Sequence, residues 1–191
     1  MHRLDKDTSG TLVVAKTAAA LDPLAGQFKR RTVRKDYLAL VHGAMPSERG
    51  AIRLPIGRHP VDRKRMSTCS RKGREAETGW RVVQVLSGLT LLEVHLKTGR
   101  THQIRVHLAA IGRPIAGDPV YGRRRPAHAP DHIHALLAPV RRQMLHAWRL
   151  EIDHPATGER MCFESPLSED MERLIEKLEE GSWKGEGGKY R

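Results

Sequence analysis

The sequence predicts an α/β chain of the α+β type, with a mixed, largely antiparallel sheet and helices packed against it. Three observations carry this reading. Short apolar runs suited to strands stand at Asp36 to Val41, Thr78 to Leu86 and Leu89 to Leu96. A Ser87-Gly88 pair joins the last two as a hairpin turn would. Apolar residues recur at helical spacing after Gly99 and again after Pro166.

Taken in order, Thr11 to Ala15 (TLVVA) reads as a short strand. Thr17 can cap a helix whose Leu21, Leu24 and Phe28 form its apolar stripe. The three strand runs follow. Ile104, Leu108 and Ile111 then mark a short helix from Thr101, stopped by Gly112-Arg113-Pro114. His146 to Ile152 and Arg160 to Phe163 read as two strands joined through His154-Pro155-Ala156-Thr157-Gly158. Leu167, Met171, Leu174, Ile175 and Leu178 make the stripe of a closing helix, with Glu169 and Asp170 placed near its N-terminus. One domain is expected over residues 1–180, and the glycine-rich, charged residues 181–191 read as a loose tail.

Composition narrows the function classes. Lys and Arg number 34 against 22 Asp and Glu, a formal charge of +12, so nucleic acid is the first partner to expect. Basic stretches at Lys29 to Lys35, Arg58 to Lys72 and Arg123-Arg124-Arg125 fall in or beside loops, where they could follow a phosphate backbone. Aromatic residues are only 4%, which argues against a passive sheet paved with base-stacking rings. Cys69 and Cys162 form no CxxC pair and read as packing residues of a chain in a reducing cytoplasm. No apolar run reaches the ~20 residues of a membrane span, and no signal-peptide core opens the chain.

Two segments carry chemistry. His2 to Gly10 reads HRLDKDTSG, which opens like a calcium loop, but the closing position that needs a bidentate glutamate is Lys16. What remains is a carboxylate, Asp5, at a tight turn flanked by Arg3 and Lys6; it is either a reactive group or an Asx-turn cap. Thr98 to Leu108 reads TGRTHQIRVHL and places Arg100, His102 and Arg105 on or beside a helix. An arginine of this helix, packed on the Asp5 turn, would keep that carboxylate ionised and usable as a nucleophile; equally, these arginines could bind phosphate or form an ordinary pair. His128, His132 and His134 cluster in HAPDHIH, but a zinc site lacks a fourth ligand there, so a surface loop is expected and no metal.

The chain resembles the RluA-type family of RNA pseudouridine synthases, in particular those acting on large-subunit ribosomal RNA. The resemblance runs from His2 to about Met171 through four ordered blocks: HRLDKDTSG, RKDYLALVHG at Arg34 to Gly43, TGRTHQIRVHLAAIGRPIAGDPVYG at Thr98 to Gly122, and HAWRLEIDHPATGE with SPLSEDM. It implies the pseudouridine synthase catalytic fold, with Asp5 as the catalytic aspartate, Tyr37 as the tyrosine lying against the target base and Arg105 as the aspartate's partner. Arg3 matches an arginine that fills the space of the extruded nucleotide, and Arg100 and His102 are expected at the substrate.

The implied reaction cleaves a uridine's glycosidic bond, turns the uracil and reattaches it through a ring carbon, with the aspartate acting at either base or sugar. No metal or organic cofactor is implied. The partner is RNA, ribosomal in preference to transfer RNA, and the chain is expected to be a cytoplasmic monomer. The family carries more chain ahead of HRLD than stands here, so the catalytic domain is expected to lack its first strands and to expose sheet edges. That leaves a rival reading: an RNA-binding or ribosome-assembly factor with the same fold and impaired catalysis. A metal-dependent nucleic-acid enzyme using the histidine loop is a weaker rival.

Overall fold

A computed structural model of the chain describes residues 2–62, 64–122 and 131–182. The elements run β1 (Ser9–Gly10), α1 (Ala18–Arg30), β2 (Arg34–His42), β3 (Arg49–Ile52), β4 (Gly57–Arg58), β5 (Met66–Ser67) and β6 (Thr78–Leu86). They continue as β7 (Leu89–Leu96), α2 (Gln103–Ala110), α3 (Asp131–Leu137), β8 (Leu145–Asp153), β9 (Arg160–Glu164) and α4 (Glu169–Ser182). Seven strands form one sheet in the order β1-β8-β2-β7-β6-β3, with β9 also on β8, and β4 pairs with β5 as a separate hairpin. All pairs in the main sheet are antiparallel except β1 with β8. The expected mixed, largely antiparallel sheet is what forms.

The first predicted strand is the exception. Thr11 to Ala15 has no ladder: the Thr11 N–H still reaches the Ala147 carbonyl at 2.7 Å, but beyond it the edge of β8 is taken by β9. β1 itself depends on Gly10, at φ +108°, because a Cβ there would stand 2.2 Å from the Ala147 carbonyl oxygen. α1 starts as expected, with the Thr17 hydroxyl accepting the Ala20 N–H at 3.3 Å. Its stripe is narrower than predicted. Leu24 is buried with Val33, Leu150 and Ile152, and Phe28 packs on them, whereas Leu21 faces solvent. The cysteines correct the expectation too, since both are free and exposed.

Side chains alternate across the sheet, so β2 sends Tyr37, Ala39 and Val41 to one face and Asp36 to the other. Tyr37, Ala39 and Val41 lie opposite Val94, Leu92 and Thr90 of β7. Asp36, fully buried, is held by His95 Nδ1 at 2.6 Å and Arg34 Nε at 2.8 Å. The main core joins these strands to Ile104 and Leu108 of α2 and to Met171, Leu174, Ile175 and Leu178 of α4. The predicted α4 stripe is therefore the buried one. α4 runs through Gly181 to Ser182, and the remaining tail, like His128 and Arg123-Arg124-Arg125, lies outside the described residues. β3, the β4–β5 hairpin and α3 were not predicted. No helix among the described residues is long and apolar enough to cross a membrane.

Candidate active site

The turn that carries Asp5 is built by its neighbours. The Thr8 N–H closes it on the Asp5 carbonyl at 3.1 Å, and Asp7 takes the left-handed conformation at φ 68° that short polar residues tolerate. From the other side, the buried Gln143 amide donates to the Lys6 carbonyl at 2.7 Å and to the Thr8 hydroxyl at 3.0 Å. Arg142 donates to the Asp7 carbonyl at 3.1 Å while its guanidinium is anchored on Asp170 and Ser168 at the start of α4.

α2 faces this turn. Its first residue, Gln103, accepts from the Arg100 N–H and the Thr98 hydroxyl and donates to the Glu77 carbonyl and the Thr78 hydroxyl, so the loop entering α2 is pinned to β6. One turn on, His107 bridges the Thr78 hydroxyl at 2.8 Å and the Leu54 carbonyl at 2.9 Å. Between them Arg105, 4% exposed, points toward Asp5.

Arg105 meets two carboxylates. Its Nη1 lies 3.3 Å from Asp5 Oδ2, and its Nε and Nη2 fork onto Asp118 at 2.7 and 2.9 Å. Asp118 is buried and also accepts the Val120 and Tyr121 N–H groups at 2.9 and 3.0 Å. Burial alone would raise the Asp118 carboxyl; Arg105 and the backbone donors outweigh it and hold it below the ordinary carboxylate range. The guanidinium also sits 5.2 Å from the centre of the Tyr121 ring. The Tyr121 hydroxyl accepts the Met66 N–H at 2.8 Å and lies 2.9 Å from His102 Nδ1. Burial pushes His102 down, so its ring is neutral near pH 7 and its Nδ1 can accept the hydrogen bond of the Tyr121 hydroxyl. His102 itself is left-handed, at φ 55° and ψ 23°, the one strained residue of the α2 entry.

Asp5, His102 and Arg105 line a cleft of about 510 Å³. All six residues singled out in the sequence, Arg3, Asp5, Tyr37, Arg100, His102 and Arg105, stand on its wall. Lys29, Arg31, Lys35, Arg74 and Lys97 join them, and Asp5 is the sole acid among the lining residues. Burial, reinforced by the Asp5 charge, pushes the Tyr37 phenol well up, so it stays protonated at any physiological pH. Asp118, Gln143 and Tyr121 were not singled out. A signal existed for Asp118, the only acid between Gly99 and Arg125; Gln143 carried none.

A cleft lined by cations around one carboxylate matches an independent finding: the family described as RNA pseudouridylate synthase matches residues 1–110. The chain belongs to this family. A ribosomal large subunit pseudouridine synthase D of Nitrosomonas europaea is 50% identical over 178 residues, 93% of this chain and 50% of that protein. An uncharacterized RNA pseudouridine synthase of Bacillus subtilis is 47% identical, over 93% of this chain and 55% of its own length. The solved structure of human RNA Pseudouridylate Synthase Domain Containing 4 superposes with a TM-score of 0.77 at 26% identity, covering 93% of this chain and 74% of that one. The chain thus spans about half the length of the curated relatives it matches. Within the pseudouridylate synthase match fall the Asp5 turn, Tyr37 and α2 with Arg105, whereas Asp118, Tyr121 and Gln143 lie beyond its last residue.

Proposed function

We propose that this chain isomerises a uridine of RNA to pseudouridine, with large-subunit ribosomal RNA as the favoured substrate, Asp5 as nucleophile, Arg105 as its ion partner and Tyr37 as the platform for the base. One observation carries the reading. The lone carboxylate of a cation-lined cleft lies 3.3 Å from a buried guanidinium, and the largely buried Tyr37 stands on the same cleft wall.

The chemistry follows from those groups. A base inside a helix is out of reach, so the target nucleotide must leave the stack and enter the cleft, with Arg3 taking the space it vacates. The cations of the rim hold the flanking phosphates, and Arg100 and His102 contact the substrate near the α2 entry. The neutral Tyr37 offers an apolar surface against which the uracil can turn without leaving. Asp5, oriented by its contact with Arg105, bonds to the substrate while the bond between sugar and ring nitrogen breaks. The uracil turns, a carbon–carbon bond to the same sugar forms, the bond to Asp5 breaks with its electron pair returning to the carboxylate, and the proton displaced from that ring carbon is balanced by one gained at the freed nitrogen. Nothing is oxidised or reduced, so these residues suffice without a cofactor. The chain works in this reading as a cytoplasmic monomer.

The test is Asp5→Asn in the chain incubated with large-subunit ribosomal RNA, with pseudouridine counted chromatographically after digestion. Product should vanish while RNA affinity holds. Product formed by Asp5→Asn at the wild-type rate would remove Asp5 from the chemistry. A wild-type chain that binds RNA in a salt-dependent way yet makes no product in a single turnover would favour the binding-factor reading.

A further inference from the structure

We propose that Asp118 is a positioning residue for this isomerisation: it fixes the Arg105 guanidinium in one orientation by engaging two of its three nitrogens, leaving Nη1 for Asp5. The proposal rests on the reading of Asp5 as nucleophile given above.

The geometry is unequal. Asp118 holds Arg105 through two short contacts, 2.7 and 2.9 Å, in the fork geometry that matches a carboxylate to a guanidinium, whereas Asp5 has one contact at 3.3 Å. The Asp118 side chain is wholly buried and the Asp5 side chain is 18% exposed, toward the cleft. Asp118 cannot drift, because its Oδ1 also receives the Val120 and Tyr121 N–H groups. Its loop is stitched down on both sides. The Ala116 N–H donates to the Leu40 carbonyl at 2.8 Å, and the Ala116 carbonyl accepts the Met144 N–H at 2.9 Å. Gly117, at φ +73°, lets the loop pass where a Cβ would stand 2.2 Å from the Arg142 carbonyl oxygen.

Two carboxylates on one guanidinium leave the trio with a net negative charge. Arg105 then aims Asp5 without fully neutralising it, and an anion that is oriented but only partly paired is a better nucleophile than one locked in its own bidentate pair. Asp118 touches neither base nor sugar in this arrangement and acts only through Arg105.

The experiment compares Asp118→Asn and Asp118→Glu with wild type, measuring kcat, KM, RNA affinity, melting and the pH profile of kcat on large-subunit ribosomal RNA. In Asp118→Asn the fork is lost and Arg105 turns its whole charge on Asp5. We expect kcat to fall by about ten- to a hundredfold, as misplacement of a reacting group does, with KM and RNA affinity unchanged. The acid limb of the profile should move to lower pH, because an unshared cation favours the ionised carboxylate. Asp118→Glu keeps the charge and displaces the fork, so kcat should fall while the acid limb stays in place. A merely structural Asp118 would lower melting without moving the limb in Asp118→Asn, and that result overturns the proposal, as does a wild-type kcat in either variant. If Asp118→Asn fails to melt cooperatively, Asp118→Glu decides by the same kcat and KM criteria; loss of fold in both counts against a positioning role. A wild-type chain that forms no pseudouridine overturns the isomerase reading and this proposal with it, whereas an active wild type beside an unaffected Asp118→Asn overturns this proposal alone.

Discussion

Gln143 holds Thr8: its side-chain amide donates to the Thr8 hydroxyl at 3.0 Å and to the neighbouring Lys6 carbonyl at 2.7 Å, so the residues entering β8 grip the turn that presents Asp5. Gln143 is 1% exposed and reaches no cleft surface, which separates its role from substrate contact. Replacing it with Ala strips both donors and leaves a part-buried carbonyl unpaired, a loss of about 1–3 kcal/mol of stability. Chemical denaturation should show that loss. The turn should also loosen, so kcat should drop by about tenfold while KM stays, the signature of a displaced reacting group. An unchanged kcat in a destabilised Gln143→Ala would mean that the Asp5 turn is held elsewhere.

Arg105 cannot be exchanged for a shorter or apolar residue without consequence. Arg105→Leu leaves the buried Asp118 carboxylate without its fork, and removing one partner of a buried pair costs about 3–5 kcal/mol. Arg105→Lys keeps the charge but can offer only a point contact in place of the fork onto Asp118 and the third contact to Asp5. Its stability should lie between wild type and Arg105→Leu, with pseudouridine formation reduced in both. Denaturant midpoints measured at constant slope check the order; equal stability of all three would show that Asp118 does not depend on Arg105.

Legibility in the sequence divided along physical lines. Elements with strong periodicity were readable: β6 and β7 around Ser87-Gly88, α2 up to Gly112, and the α4 stripe all stand where the pattern puts them. Gly88 and Gly112 are indeed left-handed, at φ 70° and 74°. What failed depended on distant partners. Thr11 to Ala15 has strand composition, yet its pairing is decided by β9, more than a hundred residues away in sequence. The two-residue strands β4 and β5 have no period to detect. The same division runs through the site. The convergence of Asp5, Tyr37 and Arg105 was specified by resemblance; the residues themselves offered only a conditional pairing of Asp5 with an arginine of α2, since nothing in spacing joins residues 5 and 105. That Arg105 is shared with Asp118 required coordinates, because a glycine-aspartate pair in a loop reads equally well as a plain turn.

The cleft rim gives a salt prediction. Lys29 and Arg74 are exposed and line the cleft. Neutralising one cation that binds a phosphate should flatten the plot of log affinity against log salt by about 1. Lys29→Gln and Arg74→Gln should therefore weaken RNA binding to a similar degree on any sequence, and kcat at saturating RNA should hold. Filter binding at several salt concentrations measures this. Variants that keep the full wild-type slope would place the RNA backbone on another surface.

The buried histidines set a mild-acid limit to stability. His107 is fully buried between two partners of fixed sense: its Nε2–H must donate to the Leu54 carbonyl, so its Nδ1 must accept the Thr78 hydroxyl. A proton on Nδ1 would force the Thr78 hydroxyl to turn from donor to acceptor, and burial already pushes the His107 value down. His146, 1% exposed, is likewise lowered by burial, and it ties Ser9 of β1 to β8 through a 2.9 Å contact. In the unfolded chain both rings titrate near about 6.5. Below that pH the unfolded state takes up protons that the folded state refuses, so stability falls as pH drops from about 6.5 through the lowered folded values, and is complete above it. Asp118 lies below the ordinary carboxylate range, so its contribution is lost only in stronger acid. Melting temperature should thus decline between about pH 6.5 and 5, ahead of the carboxylate-driven collapse. A His107→Gln variant, which can still bridge donor and acceptor without titrating, should show a shallower decline over that window. A flat wild-type profile from pH 7 to 5 would mean that these rings accept a proton in place, and that the Thr78–His107–Leu54 bridge does not constrain α2.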